Sequence, residues 1–409
     1  MNIFYKTTIN NTDYQTTVLA DGSWSVDVNN VLPDGVRDYV IESFDVAGNT
    51  VTLVGSVTID TTTTVTGGLD ASSDSGALSD DGITSVVTPL FSGTGDVGAA
   101  INLEINGENY LTTVDIAGNW SVMVTNNLSE ATHAYTITAV DIAGNEDSIT
   151  GDITIDDSVH LTGGLDVNSD SGIDNSDGIT NQNSPDFSGT AEIGSAITLT
   201  INNQNYNTNV DATGNWFISS IDSLPDGERD YSISAIDLAG NTLQIDGTIK
   251  IDTTTTVTGR LDAASDSGVD NTDNITNIGT PTFTGTAEEG AVVTLTINNN
   301  TYSATVDNTG NWSIEVLQNL AESNHLYSIL STDLAGNTDS VQGNITIDQT
   351  VNLTGGLDSS SDSGESNSDN VTNIIRPTFS GTSDIGADIV VNINNQNYTT
   401  TTDNFGNWS

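Results

Sequence analysis

The chain has 409 residues, and its 56 acidic side chains against six Lys and Arg give a formal net charge of −50. Because phosphate recognition needs a basic surface, this charge excludes nucleic acid as a partner and disfavours an anionic membrane surface. The sequence contains no Cys, which excludes disulfides, thiolate chemistry and zinc–sulfur sites. No 18-residue apolar run occurs, so we predict no direct membrane insertion of this segment.

The sequence consists of internal repeats with a period of 96 residues. The tryptophans follow this spacing at Trp24, Trp120, Trp216, Trp312 and Trp408. A period of this length is typical of a complete small β domain rather than a short solenoid unit. We therefore divide the chain into a partial repeat 1–60, whole repeats 61–156, 157–252 and 253–348, and a partial repeat 349–409. We expect it to be a segment of a longer array, with secretion and anchoring signals outside it.

Within repeat 157–252 the pattern predicts about seven short strands. Ile197, Leu199 and Ile201 alternate with Thr, as in a half-buried strand, and turn signals such as "EIGS" and "DLAGN" separate the apolar runs. We place the strands at 158–162, 185–191, 196–202, 205–210, 215–221, 230–237 and 242–251. No helical periodicity occurs. The predicted fold class is all-β, a tandem array of immunoglobulin-like antiparallel β-sandwich domains with the tryptophans in their cores.

Longer stretches of the sequence carry a family resemblance. They are "LPDGERDYSISAIDLAGN" (224–241), "GTIKIDTT" (247–254), "TPTFTGTAEEGAVVTLTINN" (280–299) and "VDNTGNWSIEV" (306–316). With them the chain resembles the bacterial immunoglobulin-like repeats of giant surface adhesins exported by type I secretion. The resemblance implies an extracellular, cell-surface location, a part in adhesion and biofilms, and calcium that stiffens the array.

An acidic loop opens each repeat, as in "LDASSDSGALSDDGITS" (69–85), and no Lys or Arg lies within it. Short oxygen-bearing side chains with a Gly for the bend suit a hard cation with six to eight oxygen ligands, which favours calcium over magnesium, zinc or copper. The alternative is a solvated turn without metal, since Asp and Ser favour turns. Three carboxylate positions recur in all four copies: Asp70, Asp166, Asp262 and Asp358; Asp74, Asp170, Asp266 and Asp362; Asp81, Asp177, Asp273 and Asp369.

Sandwich topology indicates where these loops lie. The loop and the end of the last strand share one pole, and the "DLAGN" turn lies at the other, so the loop of one repeat should meet the turn of the next. We expect the loop of Asp170 and Asp177, with Asp252, to approach Glu288 and Asp333. Likewise the loop of Asp266 and Asp273, with Asp348, should approach Asp384. The further candidate ligands are the acids that end the last strands, Asp156, Asp252 and Asp348, and those that open the turns, Asp141, Asp237 and Asp333.

We therefore predict calcium at the junctions between repeats; a site closed within one loop is the alternative. The predicted function is a structural extender of a bacterial cell-surface adhesin whose partners are its own neighbouring repeats. A glycan or cell-surface target would then be reached through domains outside this segment. Two alternatives stay open: direct binding of glycans, cells or ice, and a spacer array of a secreted enzyme. We do not expect an enzyme, because equivalent exposed loops lack the single cleft that paired-carboxylate hydrolysis requires.

Overall fold

The computed structural model describes residues 4–219, 221–268 and 270–409. These residues form strands, turns and bends, and the described part of the chain contains no helix that could cross a membrane. The predicted strand 215–221 includes residue 220, which lies outside the described residues.

The strands recur in the same order along the chain. The partial repeat 1–60 holds β1 (Phe4–Ile9), β2 (Thr12–Thr17), β3 (Gly35–Phe44) and β4 (Thr50–Ile59). Repeat 61–156 holds β5 (Val65–Leu69), β6 (Ile83–Thr84), β7 (Leu90–Gly95), β8 (Ala100–Ile105), β9 (Glu108–Thr113), β10 (Asn119–Met123), β11 (Ala131–Val140) and β12 (Glu146–Ile155). Repeat 157–252 holds β13 (Leu161–Leu165), β14 (Ile179–Thr180), β15 (Phe187–Ala191), β16 (Ala196–Ile201), β17 (Gln204–Asn209), β18 (Asn215–Ile218), β19 (Gly227–Ile236) and β20 (Thr242–Ile251).

The remaining strands continue this order. Repeat 253–348 holds β21 (Val257–Leu261), β22 (Ile275–Thr276), β23 (Thr282–Ala287), β24 (Val292–Ile297), β25 (Asn300–Thr305), β26 (Asn311–Glu315), β27 (Ser323–Thr332) and β28 (Thr338–Ile347). The partial repeat 349–409 holds β29 (Leu353–Leu357), β30 (Phe379–Ser383), β31 (Asp388–Ile393), β32 (Gln396–Thr401) and β33 (Asn407–Trp408).

Each whole repeat is a sandwich of two sheets, described here for the first and third. Repeat 61–156 pairs a five-stranded sheet of order β6-β12-β11-β8-β9 with a three-stranded sheet of order β10-β7-β5. Repeat 253–348 has the same two orders, β22-β28-β27-β24-β25 and β21-β23-β26. The long strands pair antiparallel, with Ile137 opposite Leu103, whereas the two-residue β6 runs parallel to β12. The predicted immunoglobulin-like sandwich is thereby confirmed.

Several strand bounds of repeat 157–252 differ from the prediction, among them the start of β15 at Phe187 instead of residue 185 and of β19 at Gly227 instead of residue 230. The first strand, β13, begins at Leu161 instead of residue 158, and the two-residue strand β14 within the acidic loop was not predicted. A strand of two residues has no alternating period to detect. Its identity as a strand comes from its parallel partner, since Ile179 lies opposite Lys250. The fully buried Thr180 then closes the loop by donating its hydroxyl to the carbonyl oxygen of Ser169 (2.5 Å).

The core lies between the two sheets. In repeat 61–156 the alternating Ile101, Leu103 and Ile105 are buried with Phe91 and Trp120. The indole Nε1 of Trp120 donates to the backbone oxygen of Thr66 (3.1 Å), so the buried N–H group of the ring has a hydrogen-bond acceptor. Trp120, Trp216, Trp312 and Trp408 are buried, as predicted, whereas Trp24 of the first partial repeat is only partly buried.

Backbone contacts group the chain into two compact units whose division runs through repeat 157–252. One unit comprises Met1–Gly164, Ser188–Ile218 and Ser232–Asp246, and the other comprises Leu165–Phe187, Ser219–Tyr231 and Gly247–Ser409. The boundary between repeats 61–156 and 157–252 lies inside the first unit, and that between 157–252 and 253–348 lies inside the second. Each of these two junctions can therefore be described within one unit.

Candidate metal centres at the repeat junctions

Three carboxylates meet at each of these two junctions, forming what we call the junction triads. The first triad is Asp156, Glu192 and Asp237, and the second is Asp252, Glu288 and Asp333; within each, the ligand oxygens lie within 4.8 Å of one another. In the first triad, Asp156 ends the last strand of one repeat, whereas the other two acids follow strands of the next repeat. A cation held by all three would therefore be bound from both sides of the junction.

An asparagine in the "DLAGN" turn holds the first triad in place. The backbone N–H and the side-chain Nδ2 of Asn241 donate to the two carboxylate oxygens of Asp237, each at 2.8 Å. The same Nδ2 donates across the junction to the backbone oxygen of Asp156 (2.8 Å). In the second triad Asn337 makes the equivalent bonds to Asp333 and to the backbone oxygen of Asp252 (2.7 Å). The turn thus fixes its own carboxylate and the end of the preceding repeat together.

The two turn aspartates are deeply buried, with Asp237 6% and Asp333 2% exposed. Around them the triad acids repel one another. Burial raises the pKa of the Asp156 carboxyl, and the charge of Asp237 raises it further. Burial, followed by the charges of Asp156 and Asp237, likewise raises the pKa of Glu192. Glu288 has a raised pKa for the same reasons, burial first and then Asp252 and Asp333.

The acidic loop of one repeat contacts the turn of the next, as the topology predicts. The Ser75 hydroxyl donates to the backbone oxygen of Ala239 (2.5 Å), and Ser171 makes the equivalent bond to Ala335 (2.7 Å). Gly76 lies against the backbone oxygen of Leu238, where a Cβ would overlap that atom. This Gly also has a φ of +100°, so the position needs glycine for its conformation as well as for the close approach.

The first carboxylate position of the loop is a structural turn residue. Oδ1 of Asp70 accepts from the backbone N–H (2.9 Å) and hydroxyl (2.5 Å) of Ser72, while Oδ2 accepts from the Ser92 hydroxyl (2.5 Å). At Asp358 the hydrogen bonds from Ser360 and Ser380 lower the pKa to about 2. These oxygens are occupied by the protein's own donors. The position comprises Asp70, Asp166, Asp262 and Asp358.

The second carboxylate position differs, because one of its oxygens is buried without a protein donor. Oδ2 of Asp170 accepts from the backbone N–H of Gly178 (3.2 Å), but Oδ1 is buried and has no hydrogen-bond partner among the described residues. Burial, and then the charges of Asp177 and Asp174, raises the pKa of this carboxyl. Within the part of the chain that the structure describes, the same oxygen has no hydrogen-bond partner in any of the four copies, which are Asp74, Asp170, Asp266 and Asp362.

In the three whole repeats the third position caps the short strand that follows it. Oδ1 of Asp177 accepts from the backbone N–H of Ile179 (2.9 Å), and its side chain is exposed. Asp170, Asp177 and Gly178 line one cavity of about 400 Å³ together with Tyr231. The third position comprises Asp81, Asp177, Asp273 and Asp369.

The loops and the triads are separate groups of acids. Among the described residues, the three-carboxylate groups contain Asp156, Asp237, Asp252 and Asp333 from the predicted set, but no loop acid. The loop contact that the structure shows at this junction is the bond of Ser171 to Ala335, and the approach of Asp170 and Asp177 to Glu288 stays a prediction. Asp141 lies in its own turn, bonded to Asn145, and Asp348 is exposed at the end of β28.

Sequence reasoning placed Glu288 at the second junction but selected neither its equivalent Glu192 nor the turn asparagines. A signal for the acid was present, since Asp96, Glu192, Glu288 and Asp384 occupy one repeat position. The asparagine is the last residue of each "AGN" turn in the sequence. Its hydrogen bond across the junction was not predicted, because that bond depends on how two repeats pack.

A family model described as "Bacterial Ig-like domain" matches five consecutive stretches, residues 1–61, 62–157, 159–253, 254–349 and 350–409. The chain belongs to the bacterial Ig-like domain family. These bacterial Ig-like repeats therefore account for nearly the whole chain.

Solved structures of other repeat proteins are similar to these bacterial Ig-like repeats. One is described as a Ca²⁺-stabilized adhesin that helps an Antarctic bacterium reach out and bind ice (31% identity, 85% of this chain and 90% of that chain, TM-score 0.27). A second is a tetra-tandem repeat in the extending region of a large adhesion protein (24% identity, 85% and 92%, TM-score 0.34). A third concerns host cell surface retention of a 1.5-MDa bacterial ice-binding adhesin (24% identity, 66% and 95%, TM-score 0.30). No curated protein sequence matches the chain.

Proposed function

We propose that the chain is an extender segment of a bacterial surface adhesin, stiffened by calcium bound where consecutive repeats meet. The observation that carries this proposal is the first junction triad, in which Asp156 of one repeat faces Glu192 and Asp237 of the next within 4.8 Å. The similarity to extender repeats and to a Ca²⁺-stabilized adhesin supports the same reading.

The donor atoms of the triads suit calcium. All three side chains offer carboxylate oxygens, and the backbone oxygens of Asp156 and Ser158 lie nearby, since both accept from Asn241. Calcium takes six to eight oxygens at flexible geometry, whereas magnesium demands a near-ideal octahedron and gives up its water reluctantly. Burial, and then the charges of the other triad acids, raises the pKa of Asp156 and of Glu192, and a divalent cation would offset both costs.

The proposed mechanical role of the ion follows from the fact that its ligands come from two neighbouring repeats. Without a cation the triad acids repel one another across the junction, and the contact rests on a few hydrogen bonds such as that of Asn241 to Asp156. With a cation the two repeats share one set of ligands, so a change in the angle between them would break bonds to the ion. We infer that calcium restricts the motion of neighbouring repeats.

We also propose a cation in each acidic loop, with the second and third carboxylate positions as its ligands. The unpartnered buried oxygen of Asp170 supports this, because such an oxygen costs free energy unless something compensates it. Asp170 and Asp177 line the same cavity. A loop ion would stiffen the Ser171 contact to the next repeat from within one repeat, in addition to the junction ion.

The proposal extends to the location and secretion of the parent protein. We infer that the parent protein is held at the bacterial surface, is exported by type I secretion and carries its adhesive domain beyond these repeats. The repeats themselves then act as a spacer and not as an enzyme.

Small-angle scattering of the full chain tests the extender proposal. We expect the maximum dimension to be larger and the distribution of shapes narrower in about 10 mM calcium than in chelator, because that concentration exceeds a typical extracellular Kd of ~10⁻⁴ M. Magnesium at the same ionic strength is the control for simple screening. Identical scattering in calcium and in chelator would refute the stiffening role.

A further inference from the structure

Lys250 lies beside the second junction triad and has no basic equivalent beside the first. This lysine lies in β20 two residues before Asp252, so the two side chains share a face of the extended chain. Its Nζ lies 3.1 Å from Oδ2 of Asp252. The equivalent position beside the first triad is Thr154, and it is Thr58 and Thr346 in the other copies.

The lysine charge reaches the whole second triad. Besides its contact with Asp252, the ammonium group interacts electrostatically with Glu288 and Asp333. The second triad therefore carries three carboxylates and one fixed ammonium group. The first triad has three carboxylates, with Glu130 and His160 near Glu192.

We propose that Lys250 is an internal competitor for the cation at the second junction. The inference rests on the proposed calcium-binding function of the triads. A divalent ion that binds all three acids must displace Nζ from Asp252. It is then bound near the ammonium group, which repels it. The displacement is feasible because the lysine side chain is 47% exposed and its flexible stem can turn towards solvent.

The consequence is that the two junctions respond to calcium over different ranges. The first junction binds the ion at lower concentration and is the more repulsive of the two without it. The second junction is partly neutralised by Lys250 in the absence of metal and needs more calcium to bind it. The array then stiffens stepwise as calcium rises, with the lysine setting the order.

Calorimetric calcium titration of the full chain tests this at about pH 8, where an ordinary histidine is neutral. The parent variant is Asp156→Asn with Glu192→Gln, which disables the first triad and leaves the second. In that background we expect Lys250→Thr to tighten calcium binding at the second junction about 3- to 10-fold, as removal of a partly exposed ion pair allows. Lys250→Met should do the same, and Lys250→Arg should leave the affinity within about twofold because it keeps the charge.

A second measurement needs no calcium. In metal-free buffer Lys250→Thr should lower the melting temperature of the otherwise unaltered chain, whereas Thr154→Lys should raise it by placing an ammonium group beside the first triad. If Lys250→Thr still binds calcium at the second junction with unchanged affinity, the proposed role of Lys250 is overturned, but the calcium-binding function of the triads is not. Failure of every variant to bind calcium would instead overturn the proposed function on which it rests.

Discussion

Removal of calcium is expected to lower the melting temperature of the chain by about 10–20 °C. At a calcium concentration about a hundredfold above Kd, each junction ion contributes about 2.7 kcal/mol to the folded state. For a domain of about 100 residues, 1 kcal/mol shifts the melting temperature by about 4–8 °C. Calorimetric scans in about 10 mM calcium and in chelator measure the difference, at concentrations suited to extracellular sites.

Magnesium at matched concentration separates binding from screening. If the triads select calcium by their oxygen number and flexibility, magnesium should recover only a small part of the stability. Equal stabilisation by both cations, or by a monovalent salt of equal ionic strength, would show that the acids act only through general repulsion.

Neutralising two acids of the first triad is expected to have opposite effects with and without calcium. Asp156→Asn with Glu192→Gln keeps the size of both side chains while removing their charges. In metal-free buffer the variant should be more stable by about 0.5–1 kcal/mol, because like charges no longer face each other across the junction. In calcium it should bind one ion fewer and lose the stability which that ion supplies.

A charge-matched control is available in the hairpin of β8 and β9. Glu104 and Glu108 are exposed there and belong to neither triad, so Glu104→Gln with Glu108→Gln removes the same charge without removing a triad acid. This control should leave the number of bound ions unchanged. If it reduced calcium stabilisation as much as the triad variant does, total charge and not the triad would explain the effect.

The fold was largely readable from the sequence because the signals repeat in register. The alternation of Ile197, Leu199 and Ile201 predicts β16, and the structure buries all three. The strand that was missed, β14, is too short for a periodic signal and exists through its parallel pairing with β20. The first strand of repeat 157–252 was placed too early because the linker before it contains Val159, a residue type that is enriched in strands.

The site was only partly readable, because a column of acids does not reveal which oxygens are occupied. Asp70 and Asp74 lie four residues apart and recur equally along the chain. The structure bonds both oxygens of Asp70 to serine donors, yet leaves a buried oxygen of Asp74 without a partner. Glu192 was overlooked because its place beside Asp156 depends on how two separate repeats meet.

Most of the acids are not ligands of the triads but shape the loops and turns that surround them. Asp81 caps β6, and Asp237 accepts both donors of Asn241 while also facing its triad. One aspartate thus serves the fold of its own repeat and the junction at once. Hydrogen bonds within the loops and turns thus hold many of the acids in fixed positions, although the chain has a net charge of −50.

A crystal structure of the full chain grown in calcium, with anomalous scattering used to locate the ions, tests the central claim most directly. We predict an ion within about 2.3–2.6 Å of carboxylate oxygens from Asp156, Glu192 and Asp237, the distance typical of calcium. Ordered density for these three side chains without an ion among them, in crystals soaked with calcium well above Kd, would contradict it.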